Sequence, residues 1–121
     1  MAFTGDIKLI ILFGSRASER AGIHSDTDIA ALANHPLTIE EKGQIAEEAG
    51  RMLGVSEDAI DVADIWRAPP LLQQEIAQNG KLLHGATFDF IRFRVLAWKR
   101  YLDTAKFRRA RERALAKQYG Q

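Results

Sequence analysis

Gly14 and Ser15, followed after a gap of ten residues by Asp26 and Asp28, form a set that can handle phosphate and metal. Gly14 closes the apolar run Leu9–Phe13. A glycine at a strand end lets backbone N–H groups approach a phosphate closely, because no Cβ intervenes. Ser15 reads as the start of a short helix over Ser15–Ala21 that Gly22 stops. Free N–H groups and the helix dipole favour an anion there. Asp26 and Asp28 lie two apart on a predicted strand, so both carboxylates point to one face. Such oxygen ligands suit Mg²⁺, which takes one or two carboxylates together with phosphate oxygens. A third acid comes from Ile60-Asp61-Val62-Ala63-Asp64-Ile65. Asp61 stands in a β-branched context where an acid is otherwise costly, and on an adjacent strand it would face the pair. Asp64 has the opposite parity. It is expected to face the other side, and its replacement to do little.

Each part has a plainer reading. A Gly-Ser pair is commonly a turn, and Asp-x-Asp commonly solvates or caps a loop. The fixed spacing together with a third strand-borne acid favours the chemical reading. Arg16 either reaches a phosphate or lies on the surface of its short helix. Ser15 has no neighbouring His or Lys as a base, so no covalent role is expected of it. His24, His35 and His84 share no metal-ligand spacing and are read as non-catalytic.

The elements that must position these residues are legible from periodicity. Ile7–Phe13 reads as a buried strand and Thr27–Leu32 as a second. Thr38 and Glu41 form a capping box for a helix with Ile45, Ala49, Met52 and Leu53 on one face, ended by Gly54. Ile60–Ile65 is a third strand. Pro69-Pro70 breaks it and starts a helix carrying Leu71, Leu72 and Ile76, which Asn79-Gly80 stops. Lys81–His84 reads as a short edge strand. Thr87 is expected to cap a long helix reaching about Gln118, with Phe88, Ile91, Val95, Trp98 and Leu102 on one face. That stripe is read as core or partner contact rather than a platform for stacking bases. The predicted fold class is α/β (α+β): a small mixed sheet with helices packed on it.

At 121 residues and 46% hydrophobic content the chain is expected to be one domain, 1–121, with 87–118 as its basic C-terminal helix. It has no cysteine, which excludes disulfides and thiolate metal sites. The N-terminus lacks the basic region of a secretory signal, and no apolar run is long enough to span a bilayer. A soluble cytoplasmic protein without membrane association is expected. The net charge of +1 hides a split. Residues 92–121 hold ten Lys/Arg against two acids, a local +8, which leaves −7 over residues 1–91. A tail of this kind either meets an acidic or phosphorylated partner or is a solvated helical face.

Gly14-Ser15-Arg16-Ala17, the ten-residue gap and Ser25-Asp26-Thr27-Asp28-Ile29 resemble the signature of the minimal nucleotidyltransferases of the polymerase-beta superfamily. Ile60-Asp61-Val62 is similar to that family's third acidic strand. Pro70-Leu71-Leu72 through Gly80-Lys81-Leu82-Leu83-His84 resembles its next helix and strand, and the resemblance covers most of the chain. It is nearest to antitoxin members encoded beside HEPN-domain ribonuclease toxins. The resemblance implies a polymerase-beta-type nucleotidyltransferase fold with a long C-terminal helix. It implies transfer of AMP from ATP to a hydroxyl, that of a tyrosine, on a cognate HEPN toxin. Gly14 and Ser15 would then hold the β- and γ-phosphates, with Arg16 beside them. Asp26 and Asp28 would hold two Mg²⁺ ions, and Asp61 would share one metal and accept the proton of the attacking hydroxyl. Family members commonly carry a helix before the first strand, where this chain has about six residues. A face is therefore expected to be left for the basic helix, another copy or a partner to cover.

Two other functions compete. A non-catalytic antitoxin of the same fold would mask its toxin by binding, but a pure binder has no reason to cluster carboxylates that repel one another. An antibiotic-modifying nucleotidyltransferase would need a second domain to hold its acceptor. Nucleic acid is not expected as the main partner, although the basic run alone would suit it.

Overall fold

The computed structural model describes residues 3, 5–14 and 26–118; the helix read over Ser15–Ala21 lies outside them. The elements run β1 (Ile7–Phe13), β2 (Thr27–Ala33), α1 (Ile39–Leu53), β3 (Ile60–Asp64), α2 (Pro70–Asn79), β4 (Lys81–His84) and α3 (Thr87–Gln118). Short 3-10 turns, Glu57–Ala59 and Ile65–Arg67, flank β3. The sheet order is β3-β2-β1-β4. β1 is antiparallel to both neighbours, and β2 is parallel to β3. A parallel pair needs a crossover, which α1 supplies.

β1 lies inside the sheet and is covered on both faces, which explains its unbroken apolar run; Leu9, Ile10 and Ile11 are fully buried. Alternation divides the core in two. Ile10, Ile29, Ala31 and Ala33 face Ile45 and Ala49 of α1. Leu9, Ile11, Phe13 and Ala30 face Ile76 and Ala77 of α2 and Phe93 and Ala97 of α3. Helices on both faces of a mixed sheet are the predicted fold class.

Local signals set the helix ends. The Thr38 hydroxyl accepts from Glu41 N at 3.1 Å, and the Glu41 carboxylate accepts from Thr38 N at 2.9 Å. Gly54 ends α1 in the left-handed region at φ 70°. Pro70 opens α2, where no intrahelical N–H partner is lost.

Several expectations change. Met52 and Leu71 are exposed rather than packed. Ile65 lies past the end of β3, in the 3-10 turn. Thr87 is the first residue of α3 and not its cap; the Ala86 carbonyl accepts from Phe90 N at 3.1 Å. The stripe Phe88, Ile91, Val95, Trp98 and Leu102 is not core: all five side chains are exposed, and α3 packs through Phe93 and Ala97. Ala97 lets the helix approach closely. Arg100 then fixes its rotation by donating to Gln73 Oε1 at 2.8 Å. Gln73, itself buried, donates to the carbonyls of Ile65 (3.2 Å) and Ala68 (2.9 Å). α3 thus covers the face opposite α1. On the α1 face Phe3 folds under the sheet beside His84 and leaves a cleft of about 310 Å³ between Phe3, Ile7 and α1. Among the described residues no helix is long and apolar enough to cross a membrane.

Candidate active site

Asp28 and Asp61 stand side by side. They are register partners across the parallel β2–β3 pair, and Asp28 lies opposite Phe13 of β1. Asp28 shares its parity with Ala30, and Asp61 with Ala63, so both lie on the sheet face that carries α2 and α3. Asp26 precedes β2 and is exposed, Asp28 is half-buried, and Asp61 is exposed. Gly14 follows β1 at φ 73°, in the left-handed region. A Cβ on Gly14 would run into the carboxylate of Asp28. The missing side chain therefore makes room for an acid as well as for a phosphate. Ser15 and Arg16 lie outside the described residues.

Burial raises the Asp28 carboxyl above its ordinary range, and the negative charges of Asp61, Asp26 and Glu75 raise it further. Such a group gains by having a cation nearby. Glu75, on α2, had no signal in the sequence: it stands in no motif, and only the packing of α2 against the sheet brings it near Asp28. Among the described residues no three acidic or histidine side chains gather closely enough to hold one metal ion. Their chemistry nevertheless fits Mg²⁺, a hard cation bound by one or two carboxylates with phosphate oxygens completing its shell.

Asp64 is placed on the other face, paired with Ala31, and its side chain is only 2% exposed. It accepts from Leu37 N, Trp66 N and Arg67 Nη1, each at 3.0 Å. It ties the start of α1 to the turn after β3, so the expectation that its replacement does little is not supported by its surroundings. His35 pairs with Glu41 at 2.8 Å at the head of α1. His84 Nε2 lies 3.3 Å from the Ile7 carbonyl. His24 lies outside the described residues.

The sequence profile of the family described as "Polymerase beta, Nucleotidyltransferase" matches residues 2–88. The chain belongs to this nucleotidyltransferase family. The match takes in β1 to β4 and stops at the first turn of α3. A relative named Protein adenylyltransferase MntA, from Aphanizomenon flos-aquae (strain 2012/KM1/D3), is 31% identical over 100 residues, covering 74% of this chain and 67% of the relative. Among solved structures, a toxin–antitoxin with AMP-PNP is similar at TM-score 0.77 and 27% identity, over 93% of this chain and 89% of the other. A tri-AMPylated Shewanella oneidensis HEPN toxin in complex with its MNT antitoxin is similar at TM-score 0.69 and 27% identity, over 93% and 85%.

Proposed function

We propose that this nucleotidyltransferase is an antitoxin that moves AMP from ATP onto a hydroxyl, that of a tyrosine, on a HEPN-domain toxin and thereby neutralises it. The observation that carries the reading is the register pairing of Asp28 with Asp61 beside the Gly14 turn. Its support is the likeness to a protein adenylyltransferase and to a complex holding an AMPylated toxin.

In this reading Gly14, with Ser15 and Arg16, holds the β- and γ-phosphates. Asp26 and Asp28 hold two Mg²⁺ ions, and Asp61 shares one of them. The metal supplies neutralisation of charge on the phosphates. The acceptor oxygen attacks the α-phosphorus; a new P–O bond forms, the bond to the β-phosphate breaks, and pyrophosphate leaves. Asp61, the more exposed of the two paired acids, takes the proton of the attacking hydroxyl. Positioning and charge neutralisation supply most of the acceleration.

A second reading, inhibition by masking alone, is favoured by the exposed apolar stripe of α3. One experiment separates them. The chain is incubated with ATP, Mg²⁺ and the HEPN protein encoded beside it, and the toxin is weighed by mass spectrometry and assayed for ribonuclease activity. Addition of AMP with loss of ribonuclease activity, both abolished by Asp28→Asn with Asp61→Asn, supports transfer. Full inhibition by that double variant with no mass gain supports masking.

A further inference from the structure

α3 carries two apolar seams on opposite sides. The inner one, Phe90, Phe93 and Ala97, faces the body of the protein, with Phe93 and Ala97 buried and Arg100 bonded to Gln73 one turn on. The outer one, Phe88, Ile91, Val95, Trp98 and Leu102, repeats at steps of three and four residues, and its members are 48–72% exposed. This is the spacing of a heptad seam, with Phe88, Val95 and Leu102 at the first position and Ile91 and Trp98 at the fourth. It presents large side chains along about 21 Å of helix, unlike the scattered apolar residues of an ordinary surface. Gln74, Ala77 and Gln78 of α2 form the wall of a groove of about 490 Å³ beside it. The seam lies almost entirely beyond residue 88, where the match to the family ends.

The positions flanking the seam indicate what covers it. On one side they are Arg92, Lys99 and Lys106; on the other Arg94, Tyr101 and Arg108. None is acidic. Two copies laid seam to seam in parallel would set Arg94 of one against Lys99 of the other, and in antiparallel they would set Arg against Arg and Lys against Lys. Both arrangements repel. A helix with an apolar stripe flanked by Asp or Glu would be attracted from both sides. The groove lies between α2 and α3, on the sheet face that also carries Asp28 and Asp61, and Trp98 and Tyr101 line the next cavity, about 500 Å³, together with Glu75 of α2.

We propose that the outer seam of α3 docks an amphipathic helix of the toxin, apolar along one stripe and acidic along its flanks, and so holds the acceptor protein beside the catalytic acids. The identity of the partner rests on the adenylyltransferase reading above; the chemistry of the helix rests on the seam alone.

The test has two arms, both on the full chain. In the first, short heptad peptides with Leu along the stripe and either Glu or Lys on the flanks are titrated by isothermal calorimetry. The Glu peptide is expected to bind at least about tenfold tighter than the Lys peptide, and Val95→Glu with Trp98→Glu to abolish that binding. Equal binding of the two peptides, or none by the Glu peptide, overturns the proposal. Arg92→Glu with Lys99→Glu makes one flank acidic while Arg94 and Arg108 keep the other basic, and is expected to remove the preference and to create a dimer in sedimentation. A wild-type dimer that Trp98→Glu dissolves would make a second copy the occupant and end the proposal. In the second arm, AMP transfer to the HEPN protein is followed with Val95→Glu plus Trp98→Glu. Transfer is expected to fall at least about tenfold, while ATP–Mg²⁺ binding and helix content stay unchanged. Transfer at the wild-type rate overturns the seam and leaves the enzymatic reading standing. Peptide binding without any transfer by the wild type overturns the enzymatic reading and leaves the seam standing, and a wild type that neither modifies nor binds the HEPN protein overturns the toxin as partner.

Discussion

The carboxylate of Asp28 occupies the space where Gly14 would carry a Cβ. The turn after β1 and the acid on β2 are therefore one sterically coupled unit. Gly14→Ala meets two penalties: a left-handed backbone, worth roughly 1–2 kcal/mol, and displacement of Asp28. We expect a lowered Tm and AMP transfer reduced by about 100-fold or more, since small misplacements at a reacting centre have effects of this size. An alanine variant that transfers AMP normally would show that Asp28 needs no such clearance.

Asp28 also gives the metal-free protein a pH dependence. Its carboxyl is raised by burial and by Asp61, Asp26 and Glu75, so it is harder to ionise folded than unfolded. The stability this contributes is complete below the unfolded value and is lost as pH rises through the raised, folded one. Without metal, Asp28→Asn should melt higher than wild type, with the gap widening as pH rises from about 4 to 7. Mg²⁺ with ATP should reverse the order. At a hundredfold excess over Kd, a ligand bound by the folded chain alone adds roughly 2.7 kcal/mol. Asp26→Asn with Asp28→Asn should lose that gain, and an equal thermal shift in both proteins would remove these residues as ligands.

Asp61 and Asp64, three residues apart on one strand, should fail differently. Asp61→Asn should nearly eliminate transfer, leave ATP–Mg²⁺ binding within a few-fold and, by removing a charge that opposes Asp28, raise the metal-free Tm slightly. Asp64→Ala strips acceptors from Leu37 N, Trp66 N and Arg67 in a nearly sealed site. It should destabilise by about 2–4 kcal/mol while the surviving folded fraction keeps its ATP affinity. Unfolding in urea alongside nucleotide titration separates the two effects, and a stable but inactive Asp64→Ala would exchange the assignments.

Truncation after Ala105 keeps both seams and removes only the exposed basic end of α3. Toxin association should slow and lose much of its salt dependence, because steering charges are screened over about 8–10 Å at physiological ionic strength. Nucleotide binding should not change. Tight RNA or DNA binding by the full chain, with no change in toxin affinity on truncation, would instead make the basic end a nucleic-acid arm.

The parts of the fold with strong local signals were readable from the residues. The capping box at Thr38, the stop at Gly54, the proline at the head of α2 and the parity that divides Asp61 from Asp64 each depend on near neighbours in the chain. What failed was global. α3 offers two seams of the same period, and the outer is the more apolar, yet the inner one is buried. Small Ala97 and the bond from Arg100 to Gln73 decide this, and neither has a signature in a hydropathy pattern. Glu75 and the partners of Asp64 were invisible for the same reason: they meet their neighbours only after α2 and Leu37 have packed. The roles of Gly14 and of the acids as nucleotide and metal ligands rest on motif and chemistry; the strand register contributes the side-by-side placement of Asp28 and Asp61.

During synthesis a chain emerges N-terminus first. β1 can pair with β2 early, and β3 joins β2 once α1 has crossed over, so Asp28 and Asp61 meet when about half of the chain is out. β4 must then return to β1 across about 70 residues, a slow, non-local closure. Only after that does the second sheet face accept α3, which follows β4 in the chain. A nascent chain therefore brings its acids together before α3 closes the core behind them, and until Phe93 and Ala97 arrive the face that carries the acids stays open to solvent.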